Sequence, residues 1–138
     1  ADVDDRLLAA AVHVRANAYV PYSKFPVGAA ILAESGKIYA GCDVDNASYP
    51  MTSCAEANAI GAMIAGGDRR ILSVLVVGGT AEAGDLCPPC GGCRQRLLEF
   101  SDPTTTVLLA DTRSIRERYT LHALMPKSFG PEQLKAKM

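Results

Sequence analysis

Three cysteines and one glutamate are the residues of this chain best suited to chemistry. Cys54-Ala55-Glu56 sets a thiol two positions from a carboxylate. Pro89-Cys90-Gly91-Gly92-Cys93 sets two thiols at i and i+3. In the first turn of a helix that i, i+3 spacing presents both sulfurs on one face. The free amides and the positive end of the helix dipole there favour thiolates. Thiolates are soft ligands that suit zinc, and three of them leave one tetrahedral position for water, the mark of a catalytic rather than a closed site. Water on zinc loses a proton near neutral pH. Glu56 stands where it can take that proton and pass it to a substrate nitrogen. Arg94, next to Cys93, is the candidate donor to a ligand sulfur, offsetting the excess negative charge.

The elements that must position these groups follow from apolar patterning. Leu7, Leu8, Ala11, Val14, Ala18 and Tyr19 form one stripe of a helix over residues 4–19, closed by Pro21. Residues 27–33 and 37–43 flank Glu34-Ser35-Gly36 and read as a hairpin. After a polar loop over 46–53, Thr52 or Ser53 is placed to cap a helix that Gly66-Gly67 stops. Residues 71–77 and 105–110 read as buried strands, and a helix runs from Cys90 or Gly91 to Phe100. Residues 113–119 are a further candidate strand and 119–125 a short helix. The expected fold class is α/β: a three-layer α-β-α arrangement around a mixed sheet of about five strands, in one domain over residues 1–138.

Bulk properties narrow the function. The net charge is −1 with no long basic run, which argues against nucleic-acid partners and polynucleotide substrates. No apolar stretch has the length to span a bilayer, and the acidic start lacks the pattern of a secretory signal. A cytoplasmic location is expected. There are five cysteines, three of them within seven residues, which in a reducing compartment points to metal or catalysis over disulfides.

The pairing of H/C-x-E with P-C-x-x-C is the arrangement by which zinc deaminases acting on nucleobases are generally described. The chain resembles the small, homotetrameric class of cytidine deaminases. The likeness runs through Tyr19-Val20-Pro21-Tyr22-Ser23-Lys24-Phe25, Val27-Gly28-Ala29-Ala30, Gly41-Cys42 and Asn46-Ala47. It continues through the two cysteine motifs with Arg94-Gln95, and ends in Leu124-Met125-Pro126-Lys127-Ser128-Phe129-Gly130-Pro131. The resemblance implies hydrolytic deamination of cytidine and 2′-deoxycytidine to uridine and 2′-deoxyuridine, a pyrimidine salvage reaction. Zinc would sit on Cys54, Cys90 and Cys93, with Glu56 as the proton carrier. It further implies that Phe25 flanks the base and that the backbone of Ala55 and Glu56 holds the pyrimidine edge. Tyr49 and Phe129 would approach a neighbouring subunit's site, so a homotetramer would share its active sites across an interface.

Three positions depart from the family pattern. Asp43 and Asp45 stand where Asn and Glu usually meet the ribose 3′-hydroxyl, and Ala57 stands where many relatives carry Arg. An aspartate accepts from a hydroxyl but cannot donate as Asn does. Two nearby carboxylates repel, and one is then expected to hold a proton. Two other readings stay open: a deaminase of another or modified base, motivated by the two aspartates, and a non-enzymatic zinc module in which Cys87 is the fourth ligand. Cys42 and Cys87 otherwise read as small apolar residues.

Overall fold

The computed structural model describes residues 2–78 and 86–135. Five strands form one sheet: β1 (Val27–Ala33), β2 (Ile38–Cys42), β3 (Ile71–Gly78), β4 (Thr106–Ala110) and β5 (Ile115–Thr120), in the order β2-β1-β3-β4-β5. The helices are α1 (Asp2–Arg15), α2 (Ala55–Ala65), α3 (Gly91–Glu99), α4 (Leu121–Leu124) and α5 (Pro131–Lys135). β1 pairs antiparallel with both β2 and β3, β3 pairs parallel with β4, and β4 pairs antiparallel with β5. The expected mixed sheet with a parallel pair among the later strands is what the chain forms.

Strand side chains alternate between two cores, as the period of two requires. On one face Ala29, Ile31, Val74, Val76, Val107 and Leu109 pack with Ala59, Met63 and Leu97 of α2 and α3. On the other, Ala30, Leu75, Val77, Leu108 and Ala110 receive Leu7 and Ala11 of α1. Helices therefore cover both faces, in the three layers anticipated.

The topology decides where chemistry can sit. β2, β3 and β4 all run the same way, since β2 and β3 are each antiparallel to β1. Their carboxyl ends share one edge of the sheet. The segments that leave β2 and β3 at that edge lead into the first turns of α2 and α3. Two helix starts thus face the same crevice, the usual ligand position in open α/β sheets. Gly41 lets α2 come close to the sheet: a Cβ there would collide with the backbone nitrogen of Ala59 and stand 2.8 Å from the Ala55 carbonyl oxygen.

Local differences from the sequence reading have tertiary causes. α1 ends at Arg15, four residues before the end of its apolar stripe. Tyr19 is instead drawn into a parallel bridge with Val44, its amide donating to the Asp43 carbonyl at 3.1 Å. Ser53 bridges Val44 on the other side, so Cys54, not Thr52 or Ser53, is the N-cap of α2. The β1–β2 turn falls where expected, with Gly36 at φ 90, a value costly for other residues.

Candidate metal and active site

Cys54 and Cys90 are N-cap residues of α2 and α3, both in extended backbone. Cys93 and Glu56 lie in the first turns of those helices. The Sγ atoms of Cys54 and Cys93 and a carboxylate oxygen of Glu56 all lie within 4.8 Å of one another. The Cα atoms of the two cysteines are 7.5 Å apart. Cross-linked cysteines usually stand about 4.4–6.8 Å apart, so the juxtaposed sulfurs suit a shared metal ion better than a bond. Thiolates with one carboxylate fit zinc and do not fit magnesium or calcium, which want oxygen ligands. Asn58 braces the α2 start, donating to the Cys42 carbonyl at 2.7 Å and to the Ser53 hydroxyl at 3.1 Å.

The cluster lies in a cleft of about 310 Å³, within the range of small-molecule sites. Of the expected residues, Phe25, Asp43, Asp45, Cys54, Ala55, Glu56, Cys90 and Cys93 line this cleft. Cys90 is the partial exception among the thiols. It is exposed, and its sulfur lies outside the group of mutually close ligand atoms. Cys87 lines the cleft too. Its thiol is pushed up to about 11, by burial first and then by the charges of Glu56, Asp43 and Cys90.

Glu56 is 4% exposed. Burial raises its carboxyl above the ordinary value, and the charge of Asp43 adds to this. Its own amide at the helix start and the guanidinium of Arg96 act the other way. A carboxyl raised toward neutrality is suited to both accepting and returning a proton. Arg96 went unnoticed in the sequence, although it sits three residues after Cys93 and so on the same helical face.

The two aspartates split. Asp43 accepts from the Val27 amide at 2.9 Å through Oδ1. Its carboxyl is raised, by burial first, with Asp45 a lesser contributor. Asp45 is held below the ordinary range, chiefly by the amide of Ser23. The two carboxyls shift in opposite directions, and for Asp43 burial contributes more than repulsion from Asp45.

Arg94 is engaged with the backbone on two sides. Its Nε donates to the Pro89 carbonyl at 2.8 Å and its Nη1 to the Leu124 carbonyl at 3.0 Å. These two bonds tie the loop before α3 to α4, and among the described residues none of the Arg94 bonds goes to a cysteine sulfur. Tyr49 and Phe129 do not line the cleft within this one chain. Tyr49 is 72% exposed and meets the ring of Tyr22 edge-on, with centroids 6.3 Å apart. Phe129 is exposed, and its carbonyl accepts from Gln95 at 2.7 Å.

A thiolate and carboxylate cluster under two helix starts, at the carboxyl edge of a mixed sheet, defines a zinc-site α/β hydrolase. Comparison with known proteins narrows the class. Residues 1–109 match the family described as the cytidine and deoxycytidylate deaminase zinc-binding region. A cytidine deaminase of Sporosarcina psychrophila is 42% identical over 130 residues, covering 94% of this chain and 93% of its own. One from Mycobacterium tuberculosis strain H37Rv is 42% identical over 134 residues, covering 96% and 95%. The crystal structure of cytidine deaminase from Burkholderia pseudomallei superposes with a TM-score of 0.81 at 38% identity, covering 91% of this chain and 98% of that one. The chain belongs to the cytidine and deoxycytidylate deaminase family of zinc-dependent hydrolases. Among the described residues no helix is long and apolar enough to cross a membrane.

Proposed function

We propose that this protein converts cytidine and 2′-deoxycytidine to uridine and 2′-deoxyuridine by hydrolysis, in pyrimidine salvage. The observation that carries the reading is the buried Glu56 carboxylate within 4.8 Å of two thiol sulfurs, at the floor of a cleft of nucleoside size. Cys54, Cys90 and Cys93 would hold zinc, with Cys90 turning inward from its N-cap. When bound, zinc supplies a Lewis acid that makes water acidic enough to act as a nucleophile near neutral pH.

Glu56 takes a proton from water as the water oxygen adds to C4, and delivers that proton to N3 of the pyrimidine. It then carries the proton of the new C4 hydroxyl to the exocyclic nitrogen, the C4–N bond breaks, and ammonia leaves, with the C4 carbonyl of uridine left behind. The balance is cytidine plus water to uridine plus ammonia. The ring of Phe25 flanks the base, and the backbone of Ala55 and Glu56 holds its edge. Asp43 accepts a sugar hydroxyl. Residues 1–138 act as one catalytic domain. The assembly is a homotetramer in which Tyr49 and Phe129 of one subunit approach a neighbour's cleft. Support comes from the ring of Tyr49, 72% exposed and paired edge-on with the half-exposed Tyr22. A cytoplasmic setting suits thiols that must stay reduced.

Glu56→Gln tests the mechanism. It should keep zinc, by metal analysis, and lower kcat by about 10²–10⁴-fold. Near-normal turnover would refute the proton-carrier role. A panel of cytidine, deoxycytidine, cytosine, adenosine and guanine tests the substrate, and free bases or purines outrunning cytidine would refute it.

A further inference from the structure

Asp45 faces the cleft, yet its oxygens are already engaged. Oδ2 accepts from the backbone amides of Tyr22 at 3.2 Å and Ser23 at 2.8 Å, and Oδ1 accepts from the Ser23 hydroxyl at 3.2 Å. The same hydroxyl accepts from the amide of Phe25 at 3.3 Å. A chain of hydrogen bonds therefore runs from Asp45 through Ser23 to the backbone of Phe25, whose ring lines the cleft. The loop that carries Phe25 needs holding. Lys24 sits at φ 57, in the left-handed region that side chains other than glycine rarely adopt. Its amide closes the turn by donating to the Val20 carbonyl at 3.0 Å.

The anchor itself is rigid. The Asp45 amide donates to the Tyr19 carbonyl at 2.7 Å, and the neighbouring Val44 is bridged to Tyr19 on one side and to Ser53 on the other. Asp45 is only 6% exposed. A buried carboxylate with three donors has little capacity left for a ligand. Asp43 differs. Val27 takes one of its oxygens, and among the described residues no donor reaches the other.

We infer that Asp45 is a positioning residue: its carboxylate pins Tyr22 and Ser23, and through Ser23 it sets the ring of Phe25 against the base, while Asp43 alone offers an acceptor to the sugar. This rests on the nucleoside reading proposed above. It divides between two roles a pair that resemblance assigns to one, and it makes base stacking, not sugar recognition, the property that depends on Asp45.

The experiment compares kcat/KM for cytidine and 3′-deoxycytidine in the zinc-loaded protein and in Asp45→Asn, Ser23→Ala and Asp43→Ala. Backbone amide exchange at Tyr22, Ser23 and Phe25 is followed without substrate. Asp45→Asn sets an amide donor against three donors, and Ser23→Ala breaks only the relay. Both should lower kcat/KM by about 10–100-fold on the two nucleosides alike, mostly through KM, because the ring is misplaced while the reacting groups stay. The cytidine to 3′-deoxycytidine ratio should hold in those variants and collapse in Asp43→Ala. Amide protection at Tyr22 and Ser23 should fall about 10-fold or more in Asp45→Asn. Collapse of the ratio in Asp45→Asn, or unchanged amide protection there, overturns the inference. Failure of the unmodified protein to turn over any cytosine nucleoside would refute the nucleoside reading, and the exchange data would still decide the anchor. Ser23→Ala, a smaller change, provides the same test should Asp45→Asn fail to fold.

Discussion

Gly41→Ala is the perturbation that most directly links the sheet to the chemistry. The added methyl would collide with the Ala59 backbone nitrogen and lie 2.8 Å from both the Ala55 carbonyl oxygen and the Asn58 carbonyl carbon. All three are main-chain atoms of a helix, so no rotamer change relieves the overlap. Either α2 lifts from the sheet by about 1 Å or β2 bows away, at a cost of about 1–3 kcal/mol for overpacking. For a chain of this size that corresponds to a fall in Tm of about 4–12 °C. The contact is beside the first turn of α2, which carries Cys54 at its cap and Glu56. A displacement of about 1 Å there costs on the order of 100-fold in rate. The expected result is therefore a larger loss of kcat/KM than of stability, with zinc content reduced. Thermal unfolding, metal analysis and steady-state kinetics on one preparation measure all three. Unchanged Tm together with unchanged activity would refute the claim that α2 is seated through bare backbone at Gly41.

Two further predictions concern the metal and the pH range. Cys90→Ser should lose zinc while Cys87→Ser keeps it, measured as zinc per chain after gel filtration; the opposite pattern would make Cys87 the ligand. At the far end of α2, Asp68 accepts from the Tyr39 phenol and the Ser35 hydroxyl, each at 2.7 Å. These bonds hold Asp68 below its ordinary value and push Tyr39 above 10.0. The Asp68 contribution to stability is present above its unfolded pKa and lost as pH falls through the lower folded one. The Tyr39 contribution is present below pH 10.0 and lost as pH rises through its raised folded value. Tyr39→Phe should reduce the alkaline loss of Tm, to which the raised Tyr119 also contributes, and weaken the acid one; identical profiles for the variant and the unmodified protein would refute the coupling.

How much of this was legible in the sequence depends on how far a residue's partners lie along the chain. Part of the cluster was legible from local spacing: Cys54 and Glu56 stand within one helical turn and do meet, together with Cys93, whereas Cys90, at the same kind of spacing from Cys93, keeps its sulfur outside the group. β1 and β3 were legible from apolar runs, that of β3 interrupted only by Ser73. β5 was only half legible, because an exposed edge strand shows Arg116, Glu117 and Arg118 in place of alternation, and only pairing with β4 makes it a strand. The end of α1 was misjudged because Tyr19 follows the apolar stripe but is claimed by Val44, 25 residues away.

Arg94 and Asp45 share a physical feature: backbone groups of nearby loops meet both side chains. A side chain's type states which bonds it can make, and the sequence reading placed both residues beside the partners nearest in function: a ligand sulfur for Arg94 and a sugar hydroxyl for Asp45. In the fold, main-chain groups reach them first. The carbonyls of Pro89 and Leu124 meet the Arg94 guanidinium, and the amides of Tyr22 and Ser23 meet the Asp45 carboxylate. Main-chain groups in turns that have no sheet or helix partner take side-chain partners, and charged side chains pair them most strongly. Charged residues one step from the reacting atoms are therefore drawn into holding the loops that shape the cleft. Buried groups that no backbone donor outside their own helix satisfies, Glu56 above all, stay available for chemistry.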